Sequence, residues 1–231
     1  MQLLSTGNPK LLKGEKKGYL SFILHLAPAT LSGYQTCPKA TKGCEAACLN
    51  TAGRGGMFKK GETTNVIQQA RIRKTRMFFE NRAEFLSLLV AEIRLGIKQA
   101  SKKGLIPCFR LNGTSDIRWE NCGIMEQFPD VQFYDYTKIT NRKTDHVPNY
   151  HLTFSRAESN DLDARLALKQ GMNIAAVFTQ LPETYAGKPV INGDETDLRF
   201  LDPKGVVVGL KAKGRAKKDS SGFVIRRSME R

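Results

Sequence analysis

Cys37, Cys44 and Cys48 put three of the chain's five cysteines within twelve residues, spaced C-x6-C-x3-C, in a stretch rich in Gly, Pro and Thr. The segment before it, Tyr19 to Leu26, is apolar on both faces and reads as a buried strand. A chain that leaves such a strand into so polar a loop has few apolar groups with which to hold the loop's shape. Three thiolates meeting on one ion or cluster would hold it, and soft sulfur donors select zinc or an iron–sulfur cluster. The competing readings are separate buried thiols or a disulfide. Cys108 and Cys122 lie in apolar segments, where a thiol packs as a small hydrophobe. The count of five is odd and the opening residues show no secretory apolar run, so a reducing cytosol is expected. The loop at 33–56 is therefore expected to bind metal through its three cysteines.

Five further apolar runs follow the first strand: 106–111, 131–136, 150–154, 173–178 and 206–210. Helical patterns lie between them. One covers 62–81. A second carries Phe85, Leu88, Leu89, Ile93 and Ile97 at helical spacing and ends in Lys102, Lys103 and Gly104. Shorter ones cover 119–127 and 161–169, with a turn near 196–200. Six βα-like units with right-handed crossovers predict an α/β fold, either an incomplete (βα)6-type parallel barrel or a curved parallel sheet. A single domain is expected over 19–211. Residues 1–18 are expected to form a polar basic arm and 212–231 a basic tail.

Lys and Arg number 37 against 22 Asp and Glu, a net charge of +15. An excess of this size predicts a polyanionic partner, with a merely solubilising basic surface as the alternative. The charge gathers in two blocks, Arg71, Arg73, Lys74 and Arg76 in the first predicted helix, and Lys211, Lys213, Arg215, Lys217 and Lys218 near the C-terminus. With Arg54 in the cysteine loop, these are the candidate nucleic-acid contacts, DNA before RNA. No apolar run is long enough to span a bilayer, so a cytoplasmic protein is expected.

In parallel α/β folds ligands bind at the carboxyl ends of the strands. Nearly every strand here is followed by side chains able to do chemistry. Asp116, Asp135 and Lys138 are the candidate catalytic residues, two carboxylates suited to nucleophilic or acid–base work and a lysine suited to an anion. Asn112, Ser115, Ser155, Arg156 and Gln180 are candidate cofactor contacts. Asp116 has a second reading as a helix N-cap. His25 and Cys108 are candidate fourth ligands, and His25 also reads as a satisfied core histidine. Trp119, Tyr134 and Tyr136 read as core aromatics or as platforms for a base. The glycines at 53, 55 and 56 would let backbone approach a phosphate.

The cysteine loop, the Arg110–Asp116 segment and the Phe133–Lys138 segment together resemble a bacteriophage family known as gene-product-88-like, over residues 20 to 180. The resemblance implies a phage-encoded protein working in the host cytoplasm, and by itself no chemistry. An early three-cysteine loop in six βα units is also similar, in architecture rather than in cysteine spacing, to radical S-adenosylmethionine enzymes. That likeness implies a [4Fe–4S] cluster on Cys37, Cys44 and Cys48 and S-adenosylmethionine as cofactor, while the +15 charge and the polar strand ends point to nucleic acid or a nucleotide as substrate. Two other readings stay open. One is a 7-deazaguanine base exchange like that of tRNA-guanine transglycosylases, using Asp116 and Asp135. The other is a zinc-stapled DNA-binding protein without catalysis.

Overall fold

Runs of Val, Ile, Phe and Tyr bounded by turn residues become strands where a neighbouring strand can take up their backbone groups. The computed structural model describes residues 1–6, 9–59 and 61–226, with the side chains of 9–11 and Arg54 outside that description. Its strands are β1 (Leu4–Ser5), β2 (Tyr19–Leu24), β3 (Ile106–Arg110), β4 (Gln132–Thr137), β5 (Tyr150–Ser155), β6 (Ile174–Phe178), β7 (Thr184–Tyr185), β8 (Lys188–Asn192), β9 (Val207–Lys211) and β10 (Val224–Ile225). The helices are α1 (Pro9–Glu15), α2 (Lys42–Ala46), α3 (Val66–Glu80), α4 (Arg82–Lys102) and α5 (Asp161–Lys169). The protein is a mixed α/β fold around a ten-stranded, mostly parallel sheet.

All six predicted strands are present. They lie side by side in chain order as β2-β3-β4-β5-β6-β9, every adjacent pair parallel. The sheet does not close on itself: β1 lies antiparallel on the β2 edge, and β8 with antiparallel β7 extends it beyond β9. β9 pairs with β6 along its whole length and β5 meets only its start, so β10 adds in parallel against Val177 and Phe178 where β5 has departed.

The period of two along a strand sorts the side chains between the two faces. One face carries Leu20, Phe22, Phe109, Phe133 and Tyr150, which pack with Phe85, Leu89 and Ile93 of α4 and with Phe78 of α3. Each such ring taken fully out of water contributes on the order of 2–3 kcal/mol, so this layer fixes the orientation of the sheet. Gly96 lets α4 lie close, since a Cβ there would stand 3.1 Å from both Phe22 and Phe109. The α3 helix starts at Asn65, whose side chain accepts from the N–H groups of Ile67 and Gln68. The opposite face carries Ser21, Cys108, Arg110, Tyr134, Tyr136 and His151, and the segment around Leu198–Phe200 packs against part of it.

Three expectations are corrected. Within the span expected as an arm, Leu3 and Leu4 are packed into the fold, both buried and both donating their N–H to the Glu92 carboxylate at 2.7 Å. The 212–231 tail is structured as far as 226, with a 3-10 turn at Gly214–Lys218 followed by β10; residues 227–231 lie outside the described residues. The helix expected over 119–127 is two 3-10 turns instead, Trp119–Asn121 and Met125–Gln127, interrupted at Gly123, whose φ of 66° leaves the helical region. Among the described residues no helix is long and apolar enough to cross a membrane.

Candidate functional site

At the carboxyl ends of the parallel strands lies a cavity of about 490 Å³. Its floor is the sheet face that bears Ile23, His25, Arg110, Tyr136, Ala175, Val177 and Leu210. One wall is the loop after β2, which contributes Cys37, Cys44 and Cys48 together. All three are free thiols. Burial pushes Cys37 upward and Cys48 to about 11, each further raised by its neighbouring thiols. Thiols so disposed are poor nucleophiles and become thiolates when a metal displaces the proton. Among the described residues no three His, Cys, Asp or Glu side chains converge closely enough to share a single metal ion.

The sulfurs contribute only weak contacts to the loop, Cys37 Sγ accepting from the Ala29 N–H and Cys48 Sγ from the Asn50 N–H, both at 3.4 Å, and stronger anchors hold it. Thr36 donates its hydroxyl to the Ala27 carbonyl at 2.6 Å, and its own carbonyl accepts from the Asp116 N–H at 2.8 Å. Glu158 accepts from the Thr41 hydroxyl and the Gly43 N–H, both at 2.7 Å, anchoring the start of α2 beside the end of β5. Arg71 reaches from α3 to the Asn50 side chain at 2.6 Å. The glycines at 55 and 56 serve packing, since Cβ atoms there would fall 2.5 Å from the Asn50 carbonyl and 2.1 Å from that of Thr51.

Asp116 lines the cavity but is heavily engaged. Its carboxylate accepts from the Lys138 N–H at 2.8 Å and from Arg142 at 3.3 Å. Burial raises its pKa, opposed mainly by the Lys138 N–H. Arg142 also grips Glu120, which is almost wholly buried. Asp135 departs from expectation, because it faces away from the cavity between Tyr134 and Tyr136. It accepts from the Asn112 N–H at 2.8 Å and the Tyr150 hydroxyl at 2.9 Å. Burial pushes it to about 7 against the pull of Arg110. Asp135 therefore ties β4 to the Asn112 turn and to Tyr150 of β5. Asn112 in turn accepts from the Ser115 hydroxyl, the Ile117 N–H and the Trp119 indole, which gives the 112–116 turn its shape. Gly113 must be glycine here, for a Cβ would sit 2.6 Å from the Leu24 carbonyl.

Asn112, Ser115, Lys138 and Ser155 all line the cavity, Lys138 Nζ lying 3.0 Å from Ser155 Oγ. Arg156 does not, its guanidinium pairing with Asp161 at 2.7 Å and holding the Gly222 and Phe223 carbonyls. Gln180 is exposed and outside the cavity. The basic candidates divide similarly. Arg71, Lys211 and Lys213 line the cavity, while Lys74 donates to the Leu3 carbonyl and Arg76 to that of Ser32. Arg73 and Lys217 are exposed, Arg215 and Lys218 line a second hollow beside Lys42, and the side chain of Arg54 lies outside the described residues.

Four partners went unforeseen: Arg110 and Asp197, paired at 2.9 Å on the cavity floor, and Arg142 with Glu120 beneath it. Arg110 carried a signal, since it shares strand parity with Cys108 opposite apolar neighbours. The other three lie in loops with no pattern to mark them. His25 lines the cavity with its pKa lowered to about 3, first by burial and then by Arg71 and Arg110. It is a neutral imidazole at physiological pH, the form able to ligate a metal. Cys108 is fully buried and bonded to Ser21 at 3.1 Å, away from the cavity.

No curated protein and no solved structure matches the chain significantly. The model of a family described as Gene product 88 matches residues 2–227, nearly the whole chain, and the protein belongs to that family.

Proposed function

We propose that the protein is an iron–sulfur enzyme of the radical S-adenosylmethionine kind, built on an incomplete (βα)6 barrel and acting on a nucleotide or nucleic acid. The carrying observation is that Cys37, Cys44 and Cys48 share one cavity wall at the carboxyl ends of six parallel strands in chain order. A single zinc ion with 2.3 Å bonds needs sulfurs about 3.8 Å apart. A four-iron cluster takes one thiolate per iron and spaces them more widely than a single ion does. Such a cluster, when bound, supplies one-electron reduction of a ligand held beside it.

The chain's own contribution is containment and orientation. Asn112 and Ser115 present polar atoms from the turn after β3, and Lys138 with Ser155 does so from the ends of β4 and β5. Ala40, Ala47, Ala52, Val177 and Leu210 line the rest with apolar groups and reduce the water in contact with a bound ligand. Base exchange has less support, because Asp135 is turned away and Asp116 is already engaged by Arg142 and the Lys138 N–H. Anaerobic reconstitution with iron and sulfide is expected to load about four irons per chain. Replacing Cys37, Cys44 or Cys48 by Ala should abolish the loading. Stoichiometric zinc with no iron uptake would overturn the reading.

A further inference from the structure

Charges around the cavity do not balance. Among the described residues five cations line it, Arg71, Arg110, Lys138, Lys211 and Lys213, against the carboxylates of Asp116, Asp194 and Asp197. Arg110 is matched by Asp197 at 2.9 Å and Lys213 by Asp194 at 2.6 Å. Asp116 is engaged from outside the cavity by Arg142 at 3.3 Å. Lys138 lies near enough to Asp116 to lower its pKa, and the Lys211 N–H donates to Asp194 at 3.1 Å, yet five lining cations against three lining carboxylates still leave an excess of two positive charges. Like charges gathered around a concavity repel one another and focus a positive field into it, which favours an anionic occupant.

The strand ends show where the anion would sit. Lys138 and Ser155 terminate neighbouring strands, with ammonium and hydroxyl 3.0 Å apart and both facing the cavity. That contact leaves the ammonium with further N–H donors and a hydroxyl that can rotate toward a second acceptor. Lys211 stands at the end of β9 on the same rim, and Ala175, Val177 and Leu210 lie on the floor between the two lysines. An occupant that satisfies this surface has a compact anionic end and an apolar body. A carboxylate brings one negative charge, whereas a phosphomonoester brings about 1.5 to 2 and three acceptor oxygens. The cavity's 490 Å³ is the size of a site for one small molecule.

We propose that the cavity binds a nucleoside monophosphate, with its phosphate held by Lys138, Ser155 and Lys211. The proposal rests on the nucleotide reading above and narrows it to a monomeric, phosphorylated substrate. It is tested by calorimetric titration of the full-length protein with the four 2′-deoxynucleoside 5′-monophosphates and with the corresponding nucleosides. At least one monophosphate is expected to bind about ten-fold or more tighter than its nucleoside. Lys138→Ala should erase that advantage, whereas Lys98→Ala, on the exposed side of α4, should leave it unchanged. If Lys138→Ala does not fold, Lys211→Gln serves as the second variant and is expected to weaken the monophosphate several-fold while sparing the nucleoside.

Equal affinity for nucleosides and monophosphates would overturn the proposal, as would an advantage that survives in a folded lysine variant. So would displacement of the monophosphate at about 200 mM salt by a single-stranded oligonucleotide, which would mark a polymer as the true occupant. Titrations run before and after iron reconstitution separate the two ideas. Phosphate discrimination without iron uptake defeats the cluster and leaves this site standing. Iron uptake without discrimination does the reverse.

Discussion

Asp135 shows how strand parity decides the role of a single side chain. It sits one residue from each of two tyrosines on the opposite face, so its carboxylate enters the layer beneath the cavity and orders Asn112. Burial raises its folded-state pKa to about 7, while a carboxylate in an unfolded chain titrates near 3.9. The folded protein therefore binds more protons than the unfolded one across that interval. Its stability from this group is greatest below pH ~4 and falls as pH rises toward ~7. Asp135→Asn keeps the shape and removes the titration. Denaturant midpoints at pH values of about 4.5 and 8 should show the variant gaining on the wild type at the higher pH. A variant displaced equally at both pH values would refute this account. The alternation that turns Asp135 inward is visible in the sequence, where Tyr134 and Tyr136 flank it and Cys108 and Arg110 show the same parity one strand earlier. The Arg142–Glu120 pair is not visible there, because its partners are 22 residues apart in loops and only the folded chain joins them.

Among the elements, six of the seven longer strands were legible because each is a self-contained apolar run between turn residues, β8 with its exposed Lys188-Pro189 start being the exception, and α4 because its stripe recurs from Phe85 to Ile97. The short strands were not. β1, β7 and β10 have two residues each, and they are strands only because an edge or a gap in the sheet receives their backbone groups. Arg156 illustrates the same dependence. Its position after β5 marked it as a ligand contact, yet its guanidinium holds the chain before β10 through two carbonyls. Arg156→Ala should loosen that segment without unfolding the sheet. Brief trypsin treatment is then expected to cleave near Lys217, Lys218 or Arg226 several-fold faster than in the wild type while the remainder resists. Unchanged cleavage would show that β10 is held by its strand pairing and by Phe223 instead.

For the molecule as a whole, +15 describes two populations of charge. Some cations are committed to the fold, as Lys74 and Arg76 are, bonded to backbone carbonyls, or as Arg142 is, holding buried carboxylates. Others, including Arg73, Arg215, Lys217 and Lys218, stand in solvent. The second group predicts loose, sequence-blind attachment to DNA, separate from occupancy of the cavity. Mobility-shift titrations should show affinity falling by about ten-fold or more between 50 and 200 mM salt. Affinity indifferent to salt would remove the exposed cations as its source.

The anchors on the cysteine loop carry a final implication. A small zinc module is a coil until its ion arrives, so that binding and folding are a single event. Here Thr36, Glu158 and Arg71 tether the loop to three separate parts of the scaffold. The ordering entropy is met when the sheet assembles, so the loop's shape does not depend on a bound centre. Loading the proposed centre would then be a docking step onto a finished frame, and a chelator should strip it while leaving the frame upright.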